Sequence, residues 1–374
     1  MSIARLRTLV ALELTQRIRS VAWYVMLGIF ALLLIGATVL AFTAFRAFAS
    51  NGAGSGIYST VVYIVLLLAV LVSPTLSGNA VNGDRDAATL APVQVTLATT
   101  GEIILGKFLA AWITGLAFAV VAAPFMLLAT AAGGVSGWVV VVSLVVLIVE
   151  IGVVAAIGVG LSGLVARPLF SVAATYLVVA ALTVGTLLAF GLGGASIQSQ
   201  ATTYTRDLSY PGDAPACGMW QPDSGTYLDC GRERPPAPEC GEWRASTYTV
   251  PRFDYVWWLL AANPFVILAD ATPTTLDPTY GGPVDLFGSI KAGVRQAQIA
   301  PELERRFDQC DPETFGGDAY LVDRTPYDEI LATTAPSWFV GLLVQLVLAV
   351  GLLLGAWART RTPARRLPPG TRIA

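Results

Sequence analysis

Six stretches of the chain, residues 21–45, 57–81, 108–132, 138–165, 169–193 and 338–357, are predominantly apolar. Each is long enough to cross ~30 Å of hydrocarbon, which takes about 20 helical residues. Lipid offers no partner to an unpaired backbone group, so each stretch is predicted to be a helix. Short connections fall at 46–56, 133–137 and 166–168, and longer polar ones at 82–107 and 194–337. Ahead of the first span, Ile3, Leu6, Val10, Leu14 and Ile18 recur at helical spacing, with Arg5, Arg7, Arg17 and Arg19 off that stripe. This pattern predicts an amphipathic helix lying along the inner membrane surface. Ala47-Phe48-Ala49 resembles a signal cleavage site, but the 25-residue run before it is longer than the ~7–15 residues of a signal core.

The expected fold class is an all-α polytopic membrane protein: six transmembrane helices, an N-terminal interfacial helix, and a disulfide-containing extracellular domain between helices 5 and 6. The expected divisions are an interfacial helix at 1–20, spans 1–5 at 21–193 with a cytoplasmic loop at 82–107, the extracellular domain at 194–337, span 6 at 338–357, and a basic cytoplasmic tail at 358–374. Charge supports this division. Residues 194–337 hold 10 basic and 20 acidic side chains, whereas the rest of the chain holds 13 basic and 5 acidic. With the N-terminus inside, Arg5, Arg7, Arg17, Arg19, Arg85, Lys107, Arg167, Arg359, Arg361, Arg365, Arg366 and Arg372 are cytoplasmic and only Arg46 lies in a short outer loop. That asymmetry fixes the expected orientation, both termini cytoplasmic, because basic flanks resist translocation. The same orientation puts all four cysteines, Cys217, Cys230, Cys240 and Cys310, outside, where an even count reads as two disulfides of open pairing. Within the outer domain, residues 211–251 read as irregular and 289–307 as a helix, and Phe253, Tyr255, Trp257 and Trp258 form an interfacial aromatic group.

The chain has no histidine, which removes imidazole acid/base catalysis and histidine metal sites. The scattered outer acids lack metal-loop spacing, so no catalytic or metal site is expected. Gly101-Glu102-Ile103-Ile104-Leu105-Gly106-Lys107 matches the spacing of a phosphate loop, but Phe108 stands where the magnesium-binding hydroxyl belongs and the intervening trio is bulky. The octet reads instead as a helix start with Lys107 at the lipid headgroups.

The cytoplasmic elements resemble those of the ABC type-2 export permeases, the membrane half of ATP-driven exporters. The likeness rests on Glu13-Leu14 with Arg19-Ser20, on Asp84-Arg85-Asp86, Thr89-Leu90 and Leu97-Ala98-Thr99, on Glu102-Ile103-Ile104 with Gly106-Lys107, and on Asn263-Pro264-Phe265. Ala88 and Thr100 depart from the family pattern, and the outer loop is longer than in most members. The resemblance implies a non-enzymatic permease that binds no cofactor itself and pairs with a second permease subunit, as homodimer or heterodimer, in the inner membrane. A separate nucleotide-binding ATPase would carry ATP and magnesium. Glu13, Asp84, Arg85, Asp86, Thr89, Leu90 and Glu102 become its expected ATPase-coupling residues. The lipid bilayer is the other expected partner, and nucleic acid is not.

Inside the membrane, Glu150 interrupts the fourth span and is read either as a path or proton-coupling residue or as a neutral acid bonded to a neighbouring helix. The second and fifth spans add Ser73, Thr75, Ser77, Asn79, Ser171, Thr175 and Tyr176 as transport-path candidates. Gly152, Gly158, Gly160 and Gly163 predict close helix packing within the chain. Two other readings are an ion-coupled secondary transporter using Glu150, and a non-transporting anchor or sensor whose outer domain binds a ligand.

Overall fold

In a computed structural model, described over residues 2–48, 53–86, 98–209, 220–221, 226–227, 239–277, 281–311 and 326–360, the apolar stretches form six helices long and apolar enough to span a membrane. The amphipathic helix α1 (Ile3–Ile18) precedes α2 (Val21–Phe48), and α3 (Ala53–Ser77) follows. A tight turn leads from α3 into the short helix α4 (Asn82–Asp86), so the second span continues as far as Asp86. The third span, α5 (Thr100–Ala131), starts eight residues before the apolar run. Its cause is a capping box: Thr99 Oγ1 accepts from the Glu102 amide, and Glu102 accepts from the Thr99 amide. The octet from Gly101 is therefore helical, not a phosphate loop.

The fourth span, α6 (Gly137–Leu164), is the central helix, buried at every position from Glu150 to Gly160. An apolar helix can be covered all round in this way only if its neighbours come close. Its glycines permit that approach: a Cβ at Gly158 would meet Ser77, one at Gly160 would meet Leu352, and one at Gly163 would meet Ala356. The small residues thus serve packing within the chain. The fifth span runs as α7 (Pro168–Ala180), a π turn (Ala181–Gly185) and α8 (Thr186–Ser196). The sixth is the last described helix, Trp338–Thr360.

The segment between the fifth and sixth spans is not all helical, which corrects the all-α expectation there. Strands β1 (Gln198–Arg206), β6 (Arg244–Pro251) and β7 (Glu304–Asp308) form a sheet in the order β6-β1-β7, antiparallel on one side and parallel on the other. Thr202, Thr203, Tyr204 and Thr205 pair with Thr247, Ser246, Ala245 and Arg244, a β-branched and aromatic content that favours strand. Two-stranded ladders join β2 (Leu208–Ser209) to β5 (Glu239–Cys240), and β3 (Trp220–Gln221) to β4 (Thr226–Tyr227). The helix expected over 289–307 is also corrected. Helix α10 (Leu286–Gln296) ends before Pro301, and Glu304–Asp308 is strand. Proline cannot continue a helix because it lacks the amide donor. Among the described residues, α9 (Pro264–Ala271) and α11 (Tyr327–Thr333) are further α-helices of this segment, and the sixth span is α12. A disulfide joins Cys240 to Cys310 with Cα atoms 5.8 Å apart; Cys217 and Cys230 lie outside the described residues.

Candidate functional site

Three of the five acids outside the outer segment converge at the membrane end shared by α1, α4 and α5. Lys107, on α5 and 5% exposed at its side chain, pairs with Asp84 on α4 at 2.5 Å and with Glu13 on α1. It is therefore enclosed among protein carboxylates, not spread at the headgroups. One lysine between two carboxylates ties three elements distant in sequence, and the charges offset one another's desolvation. Beside this triad, Glu102 is fully buried. Its carboxylate accepts from the Thr99 amide at 2.8 Å and the Ser2 amide at 2.6 Å, with Arg5 at 3.7 Å. Glu102 thus caps α5 and holds the start of α1. Gly106 lets α1 approach, since a Cβ there would lie 3.2 Å from Leu9 Cβ and 3.7 Å from Leu6 Cδ1. The protein-facing side of α1 carries Leu6, Val10 and Leu14 as expected, whereas Ile3 and Ile18 are exposed. Arg17 is on the buried side too, and burial pushes its guanidinium down against the pull of Glu13.

The turn before α4 is bolted to α6 by one hydroxyl. Ser162 Oγ accepts from the Val81 amide at 2.9 Å and the Asn82 amide at 3.1 Å, and Asn82 Nδ2 donates to the Val165 carbonyl at 2.5 Å. Arg85 donates to Gly163 O at 3.4 Å and to Thr360 Oγ1 at 3.3 Å, reaching the end of the sixth span. Asp86, at the tip of α4, is exposed. Of the coupling candidates, Glu13, Asp84, Arg85 and Glu102 are thus engaged within the chain and Asp86 faces outward; Thr89 and Leu90 lie outside the described residues.

Several path candidates meet in a seam between α3 and α7. Ser171 Oγ donates to the Gly78 carbonyl at 2.6 Å, Thr175 Oγ1 to Ser171 O at 2.9 Å, and Ser77 Oγ to Ser73 O at 2.7 Å. All four side chains are buried. Tyr176 reaches across to Leu71 O at 2.9 Å, while Thr75 and Asn79 are exposed. These hydroxyls are spent on backbone carbonyls, the usual way a membrane helix satisfies them. Glu150 is not in the seam; it is fully buried midway along α6.

The segment between the fifth and sixth spans carries polar structure that the sequence reading missed. The Asp270 carboxylate, fully buried at the end of α9, accepts from Arg295 Nε at 2.8 Å, from the Ser337 amide at 2.6 Å and hydroxyl at 3.0 Å, and from the Trp338 amide at 3.1 Å. A carboxylate at the first amides of α12 suits a helix N-terminus. Nearby, Lys291 Nζ donates to Thr272 O at 2.7 Å, and burial pushes its ammonium down. Asp285 caps α10 through the Gly288 amide at 2.7 Å, and burial pushes its carboxyl up. Arg252 donates to Asp254 and holds that carboxyl below the usual range. Asn263 donates to the Thr183 carbonyl at 2.8 Å inside the π turn and caps α9 through the Phe265 amide at 2.9 Å. A π turn leaves carbonyls without their usual partners, and the asparagine satisfies one of them. The spacing of the charges gave no signal for the Asp270 cluster, because Arg295, Ser337 and Trp338 lie 25 to 68 residues from it.

A groove of about 770 Å³ opens among Phe190, Tyr248, Phe253, Gln296 and Arg305, within the segment between the fifth and sixth spans and next to α8. A second, of about 640 Å³, lies between α5 and α6 and is lined by apolar groups such as Ala123, Met126, Val140 and Leu144. Among the described residues no cluster of acids or cysteines could hold a metal ion. No family model matches the chain, and no curated protein matches it significantly.

Proposed function

We propose that the chain is the membrane-spanning permease subunit of an ATP-driven exporter, with α4 as the element that receives force from a separate nucleotide-binding subunit on the cytoplasmic side. The observation that carries this reading is the way α4 is held. It continues the second span, is pinned to α1 and α5 through Lys107, and is pinned to α6 and α12 through Ser162 and Arg85, while Asp86 is exposed at its tip. A short helix fixed to several spans passes a rigid-body displacement to all of them, whereas a loosely attached loop would absorb it. ATP and magnesium belong to the partner. Both termini are cytoplasmic in this reading, and the outer segment faces an oxidising compartment.

Only 22%, 11% and 22% of the apolar windows of the first, fifth and sixth spans are buried within the chain, against 67% for the second. These faces meet lipid and, in the proposed assembly, a second permease subunit. Charge reversal at Asp86 tests the coupling role without touching the internal network. Asp86→Lys is expected to reduce ATPase assembly or substrate-stimulated ATP hydrolysis while the permease still inserts and folds. Unchanged assembly and hydrolysis would remove α4 from the coupling role.

A further inference from the structure

Glu150 stands midway along α6, and Gln345 lies on α12, the helix that packs most extensively against it. Both side chains are sealed, at 0% and 1% exposure. Their polar atoms do not balance. Gln345 Nε2 donates to the Ala262 carbonyl at 2.9 Å. A carbonyl only accepts, so this bond sets the amide with its nitrogen toward Ala262 and its oxygen away from it. Gly341, one turn earlier on α12, allows the approach, because a Cβ there would overlap the Ala261 carbonyl.

Gln345 Oε1 and both oxygens of Glu150 are then three buried acceptors with no donor. Among the described residues no hydrogen bond reaches either oxygen of Glu150. The charges on the elements packed around α6 sit at their ends. Glu102 and Lys107 on α5 and Asp270 on α9 are spent on the partners given above, and Arg359 on α12 is exposed. An ionised carboxylate here would be an uncompensated buried charge, whose cost is met in proteins by neutralisation. A proton on Glu150 supplies the missing donor.

We propose that Glu150 is held as the neutral carboxylic acid and donates its hydroxyl to Gln345 Oε1. Together they form a closed proton-holding site that joins the fourth span, the sixth span and, through Ala262, the outer segment. The site stands independently of the permease reading. It makes Glu150 a positioning residue between spans, not part of a transport path, since a path residue has to exchange with water.

Infrared spectroscopy of the full chain in lipid nanodiscs tests this. The parent is expected to show, at neutral pH, the carbonyl stretch of a protonated carboxylic acid that is lost in Glu150→Gln. That variant imitates the neutral acid in shape and should keep the parent's thermal unfolding midpoint. Gln345→Leu retains the acid but removes its acceptor, so the same band should move to higher frequency. Identical carboxylic-acid spectra for parent and Glu150→Gln would overturn the proposal. So would a Glu150-dependent band that titrates away across the neutral range. If Glu150→Gln does not fold, the Gln345→Leu spectrum decides: an unmoved band overturns it.

Discussion

A lysine at the end of a span commonly extends its stem along the bilayer and its ammonium into water, and Lys107 departs from this because two carboxylates enclose it. Its removal should therefore cost more than a surface charge does. Truncating one member of a buried ion pair leaves the others unpaired, at ~3–5 kcal/mol. Lys107→Met is expected to lower the thermal unfolding midpoint in detergent and to expose α1 to protease, whereas an unchanged midpoint would mean that the triad is not structural. Charge reversal at Asp84 carries the same cost, which makes Asp86 the cleaner probe of an external partner. Sequence alone singled out Glu13, Asp84 and Glu102, yet it could not say that Lys107 and the Ser2 amide are their partners. The Glu13 and Glu102 contacts span about a hundred residues and need the packing of α1 against α5, while the Asp84 contact needs α4 folded back onto α5.

Among the elements, the spans were legible because a long apolar run has one viable structure in lipid. The early start of α5 was legible in principle, since Thr99 and Glu102 have capping-box spacing. The outer segment was harder. β6 and β7 are largely exposed, β1 shows little alternation, and both of its partners are distant in sequence, Thr202 pairing with Thr247 on one side and Glu304 on the other. Pro301 is a helix breaker inside the stretch read as one helix, whose apolar-polar pattern continues across it into a strand. At this scale Ser162 is the testable joint. Ser162→Ala leaves the Val81 and Asn82 amides buried without an acceptor, at ~1–3 kcal/mol each. The expected result is a lower thermal midpoint and faster hydrogen exchange confined to the α3–α4 turn; uniform exchange throughout the chain would contradict the local role. Asp270→Asn should act at the other end. It leaves Arg295 buried beside a neutral amide, so the outer segment should loosen from α12, read as new protease cleavage between α11 and α12. A cleavage pattern identical to the parent's would contradict that joint.

Taken whole, the chain is asymmetric: an acidic, disulfide-bearing segment between the fifth and sixth spans, and a set of tied charges where α1, α4 and α5 meet. The disulfide between Cys240 and Cys310 joins the two flanks of the sheet. Thiol labelling of the unreduced, denatured protein is expected to find no free cysteine, and labelling after reduction to find four. Labelling that needs no reduction and occurs only from the cytoplasmic side would overturn the orientation. Six helices fit to span a membrane and the tied charges around α4 are compatible with the proposed force-receiving permease, whose energy source would be a separate chain. Affinity purification of the tagged chain from its native membrane, with every co-purifying protein identified and quantified, tests this most directly. A separate ATPase bearing a true phosphate loop should appear in stoichiometric amount, and its recovery should fall with Asp86→Lys. A chain that purifies in quantity with no such ATPase would contradict the account.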